Sequence, residues 1–415
     1  MKRSQPWVVI AGGGTAGHVL PAIAVAETLR SQGCDSEKVL FVGSRRGIEG
    51  RLVGEAGFPV VLLPGRGIQR SFSPGNVKNV LGLAAAFVRA FLLLARARPA
   101  VVFSVGGYAS VPCAFSAVLL RIPLVLAESN AKAGFAIRSV ARFAKATATA
   151  FEGTGLPRAV VLGNPVRASV LSLYTADIDA PENVADPAAS VRHDALHDAR
   201  NDARNDARHD LGVPQDIFMI SVFGGSLGAR HINNTVYELC ERWQDRPMVV
   251  HHVVGDRDFA DGQRWLSALR SKHATMRLDY RQIRYEDRMD LVYGASDAVV
   301  CRAGATSIAD LAIAGMPAIL IPLPSAAEDH QSANAAAVAA DGACVHLPQA
   351  DLTVDRLARE IDGLMADPAK RRAMSAAQRR RARPDAARDI VSLLRRYASR
   401  PEPSMRPDET GPVSR

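Results

Sequence analysis

The amino-acid sequence predicts an α/β protein of two doubly wound, Rossmann-like domains facing a cleft, and three observations carry that expectation. Short apolar runs alternate with helical patterns in both halves of the chain, the rhythm of parallel βαβ units. The chain's 415 residues exceed what a single core of that kind needs. Two glycine-rich turns, GGGTAGH over Gly12–His18 and GGSLGA over Gly224–Ala229, each follow an apolar run and lead into a helical pattern. Glycine lets backbone N–H groups approach an anion, and the following helix points its positive end at the same spot, so each turn is a candidate phosphate cradle. One diphosphate-containing ligand held between the halves is expected.

In the first half the expected strands are Val8–Ala11, Val39–Val42, Val60–Leu63, Val101–Val105 and Leu124–Ala127. In the second they are Phe218–Phe223, Met248–Val254, Ala298–Cys301 and Ala318–Pro322. Ligands of such sheets bind at the carboxyl ends of the strands. Asn76–Arg98 is the most apolar helix candidate, too short and too charged inside to span a bilayer. It either buries against its own sheet or dips into a membrane interface with a basic rim. Residues 175–210 end in HDALHDARNDARNDARHD, which as a helix would stack Asp194, Asp198, Asp202, Asp206 and Asp210, like charge beside like charge. With almost no apolar side chains, that stretch reads as an expanded insertion. The expected domains are therefore residues 1–168, a linker over 169–210, and residues 211–398, whose last helix can pack back on the first domain. A loose proline-rich tail is expected over 399–415.

Residues 1–170 carry 20 Lys and Arg against 7 Asp and Glu, so the net charge of +9 resides in the first half. That asymmetry favours an anionic partner, and an anionic membrane surface is preferred: no zinc-finger spacing or aromatic-rich basic stripe points to nucleic acid. Five scattered cysteines without a CxxC pair argue against a disulfide framework or structural zinc, and fit a reducing cytosol. The apolar stretch after Met1 is too short for a signal peptide and reads as a first strand.

Gly12, Gly14 and Gly17 satisfy GxGxxG, but a dinucleotide fold wants an acid at the end of the second strand, and here that strand runs into Gly43, Ser44, Arg45 and Arg46. A dehydrogenase is thereby disfavoured. His18 follows the first turn, either as a proton acceptor at neutral pH or as a residue that merely closes the turn. The DRD of Asp256–Asp258 mimics a metal-binding DxD, but it follows a strand and reads as solvated surface. No metal and no cofactor are assigned.

Several further blocks occur in one order: VGGYAS (Val105–Ser110), ESNAKAG (Glu128–Gly134), GNPVR (Gly163–Arg167), CRAGATSIADLAIAGMPAILIPLP (Cys301–Pro324) and DHQSANA (Asp329–Ala335). With GGTAGHVLPAIAVAETL (Gly13–Leu29), they make the chain resemble the bacterial lipid I N-acetylglucosaminyltransferases, a family with the two-domain B-type glycosyltransferase fold. The resemblance implies an inverting hexosyltransferase. It moves N-acetylglucosamine from UDP-N-acetylglucosamine to the C4 hydroxyl of the muramyl sugar of lipid I, undecaprenyl-diphospho-muramyl-pentapeptide, at the cytoplasmic face of the membrane. It also implies His18 as base and donor contacts at Thr15, Ala16, Gly17, Asn130, Arg167 and Ser226. On the second domain it implies Glu286 through its backbone, then Ala305, Thr306, Ser307, Ile308, Ala309, Asp310 and Gln331. The chain departs from the family's usual pattern at Ala16 (Gly), Ala127 (His) and Asp310 (Glu). The alternatives are a B-type transferase for another lipid or small-molecule acceptor, and a nucleotide-sugar-binding protein without turnover.

Overall fold

The computed structural model describes residues 5–45, 47–64, 75–174, 201–225, 229–273 and 275–403. Residues up to Arg167, together with those from Asp385 onward, form one compact unit. Its strands are β1 (Val8–Ala11), β2 (Val39–Ser44), β3 (Val60–Leu63), β4 (Val101–Ser104), β5 (Leu124–Glu128), β6 (Ala146–Thr149) and β7 (Ala159–Val161). Between them lie α1 (Ala16–Ser31), α2 (Glu49–Glu55), α3 (Gly75–Ala97), α4 (Ser110–Leu119) and α5 (Phe135–Arg138). The seven strands form one parallel sheet ordered β3-β2-β1-β4-β5-β6-β7. All four residues of β1 are buried, as expected of a strand covered on both faces. The strand order reverses between β1 and β4, which opens a crevice at their carboxyl ends. The Gly12 turn lies there.

The two faces of α3 differ in burial, and the buried face answers to the reading of a helix packed within its own domain. Ala86, Ala90 and Leu94, at helical spacing, are buried in one cluster with Cys113, Ala114 and Ala117 of α4. Val88, Phe91 and Leu92 are exposed on the other side, among exposed Arg89, Arg96 and Arg98. Among the described residues no helix is long and apolar enough to cross a membrane.

Ala168–Pro384 form the second unit. It opens with α6 (Ala168–Leu171) and α7 (residues 201–210). Its strands are β8 (Phe218–Phe223), β9 (Met248–Val253), β10 (Leu278–Ile283), β11 (Ala298–Cys301), β12 (Ala318–Leu320) and β13 (Cys344–His346). Its other helices are α8 (Arg230–Arg242), α9 (Phe259–Lys272), α10 (Met289–Ala295), α11 (Ala305–Ala314), α12 (His330–Ala340), α13 (Val354–Ala366) and α14 (Pro368–Arg381). The parallel sheet runs β10-β9-β8-β11-β12-β13, with its switch point between β8 and β11.

Helix α7 corrects the expectation of an expanded segment for its ten residues; residues 175–200 lie outside the described residues. The repeat that stacks aspartates also places Arg204 and Arg208 one turn apart on a single face, and that face meets Asp297. Arg208 is fully buried and donates to the carbonyls of Ala295, Pro214, Gln215 and Ile217 as well as to Asp297, at 2.8–3.0 Å. Arg204 donates to the other Asp297 oxygen at 2.8 Å. A buried guanidinium is tolerated only when its donors are satisfied this fully.

The last helix, α15 (Ala386–Tyr397), belongs to the first unit, where Ile390, Val391 and Leu394 join the cluster of Val25 and Leu29 from α1. The tail expected to be loose from 399 is instead held as far as Glu402. Ser399 N donates to Ala100 O at 2.9 Å, Trp7 Nε1 donates to Arg400 O at 3.1 Å, and Glu402 accepts from Arg395 at 2.6 Å. Residues 404–415 lie outside the described residues. All five cysteines are free and buried.

Candidate active site

At the switch point of the first unit, the Gly12 turn interlocks with a second one at Gly106 and Gly107. Gly13 N donates to Gly106 O at 3.1 Å and Gly12 N to Val42 O at 3.1 Å. A Cβ on Gly107 would stand 2.0 Å from Gly13 O, so only glycine permits this approach. Gly14 N donates to the buried Glu49 carboxylate at 2.7 Å. All three glycine N–H groups are therefore engaged inside the protein. The expectation of a phosphate cradle at Gly12–Gly14 is corrected accordingly.

Thr15 is the N-cap of α1, with extended backbone and no capping bond from its side chain. Ala16, Gly17 and His18 form the first helical turn, and Ala16 has no positive φ, so the methyl group there causes no backbone strain. Thr15 Oγ1 lies 3.1 Å from His18 Nδ1. His18 lines a shallow depression with Ala127, Glu128, Ser129 and Asn164 over an apolar floor that includes Phe103 and Val105. Ser129 Oγ donates to Asn164 Oδ1 at 2.8 Å. The Nδ2 of this buried amide has no hydrogen-bond partner among the described residues.

Glu128, at the end of β5, organises the loop that follows. It accepts from Asn130 N and Nδ2 at 3.0 Å through one oxygen, and from Gly134 N at 2.8 Å through the other. Asn130 is thus held as a turn-former beside the depression. Arg167 is half-buried at the end of the first unit, and its Nε is buried without a partner among the described residues.

In the second unit, β11 leads through Arg302 and Ala303 to Gly304, the N-cap of α11, with no acidic residue in the first helical turn. Ala305, Thr306, Ser307, Ile308, Ala309 and Asp310 form the first turns of this helix, with Asp310 buried. Because Gly304 is the N-cap, Thr306 and Ser307 are not capping residues. Arg302 is buried, donating to the carbonyls of Ile321 and Pro322 and to Gln349 Oε1 at 2.7–3.1 Å. Burial lowers its pKa to about 10. Gln331 Oε1 accepts from Leu323 N at 3.0 Å, which leaves the amide's Nε2 as its donor group. The Glu286 carboxylate is turned inward: one oxygen accepts from Arg288 N at 2.9 Å and the other lies 3.3 Å from His251 Nε2. The Glu286 side chain is thus engaged within the protein. Ser226 lies outside the described residues.

The reading of Asp256–Asp258 as solvated surface is corrected at Asp258. This residue is buried, with Arg230 and Arg257 donating to it at 3.0–3.2 Å and Asn233 Nδ2 at 3.0 Å. Burial opposes its charge, but the arginine hydrogen bonds outweigh that effect and hold its carboxyl below the usual range. Asn233 also bonds His252 Nε2 at 3.0 Å, and His252 Nδ1 lies 2.9 Å from Tyr280 Oη. This buried chain ties α8, the helix after the second glycine turn, to β9 and β10.

Comparison with known proteins agrees with this architecture. Residues 8–149 match the glycosyltransferase family 28 N-terminal domain, and residues 219–390 match its C-terminal domain. A UDP-N-acetylglucosamine--N-acetylmuramyl-(pentapeptide) pyrophosphoryl-undecaprenol N-acetylglucosamine transferase of Anaeromyxobacter sp. (strain Fw109-5) is 35% identical, with 98% of each chain covered. The protein of the same name from Alkalilimnicola ehrlichii is 36% identical over 93% of this chain and 97% of that one. Among solved structures, Acinetobacter baumannii MurG superposes with a TM-score of 0.71 at 26% identity, covering 94% of this chain and 99% of that one. A UDP-GlcNAc 2-epimerase from Neisseria meningitidis, at 12% identity and a TM-score of 0.60 over 93% of this chain and 99% of its own, shares the fold alone.

Proposed function

The chain belongs to glycosyltransferase family 28, and from that premise we propose how it moves N-acetylglucosamine from UDP-N-acetylglucosamine to the C4 hydroxyl of the muramyl sugar of lipid I. The observation that carries the mechanism is the Thr15–His18 pair at the start of α1, 3.1 Å apart. When the ring donates from Nδ1 to the Thr15 hydroxyl, Nε2 holds the lone pair. That nitrogen accepts the proton of the C4 hydroxyl as the oxygen attacks the anomeric carbon. The bond from that carbon to the β-phosphate oxygen breaks, UDP leaves with the electron pair, and the linkage inverts from α to β.

Negative charge grows on the departing diphosphate. In the second unit the α11 N-terminus with its glycine cap and the glycine-rich stretch that includes Ser226 are suited to receive it, and in the first unit the Nε of Arg167, buried without a partner among the described residues. The first unit offers Thr15, Ala16, Gly17 and Asn130 to the sugar; the second offers Gln331 to the sugar and residues 305–310 with the Glu286 backbone to the nucleoside. The first unit docks on the anionic cytoplasmic face of the membrane through the exposed side of α3, where Val88, Phe91 and Leu92 sit among arginines.

Release of UDP with and without lipid I tests the reaction directly. Release that depends on lipid I and is lost in His18→Ala, with donor affinity kept, is expected. Unaltered turnover in that variant removes His18 from the mechanism.

A further inference from the structure

We propose that Glu49 is a positioning residue whose carboxylate fills the anion seat of the first glycine turn and thereby aims His18. Oε1 accepts from Gly14 N at 2.7 Å and from Ser44 N at 3.2 Å. The residue is 2% exposed, and glycines form the walls of its seat. A Cβ on Gly13 would fall 2.1 Å from Oε1, and one on Gly47 1.6 Å from Oε2. A turn able to grip an external anion grips the protein's own carboxylate, supplied from α2. A phosphate finds no vacant N–H among Gly12–Gly14.

The consequence passes along the chain in four residues. Gly14, fixed by Glu49, precedes Thr15, whose carbonyl accepts from His18 N at 3.1 Å and whose hydroxyl faces the imidazole. Without the carboxylate, Gly14 N and Ser44 N lose their acceptor, and the start of α1 is free to shift. An ångström of displacement at a base is enough to cost orders of magnitude in rate. The link to catalysis rests on His18 being the base, whereas the occupied anion seat does not.

The test compares the full-length wild type, Glu49→Gln and Glu49→Ala in steady-state transfer, with and without added sodium formate, alongside thermal melts. Glu49→Ala is expected to lose roughly 10- to 100-fold in kcat, with the KM for donor nearly unchanged. Formate, a free carboxylate small enough for the vacated seat, should restore at least about fivefold of the variant's rate and raise its Tm, and should do neither to the wild type. Glu49→Gln keeps the accepting oxygen and should stay within about threefold of wild type. A folded Glu49→Ala with full kcat, or one that formate neither stabilises nor reactivates, overturns the proposal. If Glu49→Ala does not fold, Glu49→Gln decides: retained kcat supports it, and a loss beyond about tenfold refutes it. Should the wild type itself fail to transfer to lipid I, the Tm response of Glu49→Ala to formate still reports whether the seat binds a carboxylate.

Discussion

Replacing His252 by glutamine should remove a measurable part of the acid sensitivity of the second unit. Asn233 donates its Nδ2 hydrogens to Val254 O and Asp258, so its Oδ1 must accept from His252 Nε2–H. Nδ1 is then the acceptor for the Tyr280 hydroxyl at 2.9 Å, and the ring is neutral with both nitrogens engaged. Burial, aided by the neighbouring His251, pulls its pKa from 6.5 down to about 3. Between those values the unfolded chain binds a proton that the folded chain refuses, so stability is complete at high pH and falls as pH drops below about 6.5. The slope is about 1.4 kcal/mol per pH unit. Between pH 8 and pH 5 this one group removes about 2 kcal/mol.

Urea unfolding followed by Trp243 and Trp265 fluorescence, with amide exchange in α8 and β9, reads the effect across that range. Trp265 stacks on Tyr237 at 4.4 Å and lies edge-on to Tyr280 at 5.1 Å, so its emission reports this cluster. The variant starts lower at pH 8, by about 1–3 kcal/mol for a broken buried bond, but should lose about 2 kcal/mol less than wild type on going to pH 5. Parallel pH profiles for the two proteins would refute the assignment of a neutral His252.

Other perturbations probe the remaining parts. Arg208→Leu strips Asp297 of one cation and four carbonyls of their donor, and should cost about 3–5 kcal/mol in urea melts with α7 losing exchange protection first; a loss below about 1 kcal/mol would mean that α7 is held by other contacts. Thr15→Val removes the oxygen 3.1 Å from His18 Nδ1, and kcat should fall about five- to tenfold with donor KM kept; an unchanged kcat separates Thr15 from the choice of tautomer. Arg89→Glu with Arg96→Glu should weaken flotation with anionic vesicles by about 1 kcal/mol per charge removed, more so at low salt, while transfer to detergent-dispersed acceptor is kept; unchanged flotation would move the docking face away from α3.

The central strands were legible because strands covered on both faces read as continuous apolar runs; VVIA for β1 and FMISVF for β8 sit at the expected positions. The strands missed, β6, β7, β10 and β13, are those whose composition hides them. Ala146–Thr149 reads ATAT, and the edge strand Leu278–Ile283 alternates Asp279 and Arg281 with buried Leu278 and Tyr280. The sequence hides the fold of α7 because the repeat offers poor pairing within itself, while its arginine stripe has its partner, Asp297, far along the chain. Block order announced the helix starts that bear Thr15 and Ala305. It was silent on Glu49 and Asp258, because each accepts hydrogen bonds from groups that only the fold brings within reach.

The two glycine-rich stretches are alike in sequence, but the switch points at which they begin differ in the groups around them. Beside the first, the engaged N–H groups and the Glu49 carboxylate leave no seat for phosphate at Gly12–Gly14. At the switch point of the second, α8 and α11 both begin without an acid in the first turn. There Arg302 is buried, and among the described residues its donors lie on carbonyls and an amide rather than on a carboxylate. A buried cation without a carboxylate partner favours an incoming anion, because the cation's desolvation has already occurred and an anion at short range recovers part of it. UDP alone should therefore slow amide exchange over residues 304–308 and around Gly224 and Gly225, and leave Gly12–Gly14 unchanged. New protection confined to Gly12–Gly14 would show that the first turn opens to take phosphate, and Glu49 would then have to leave its seat.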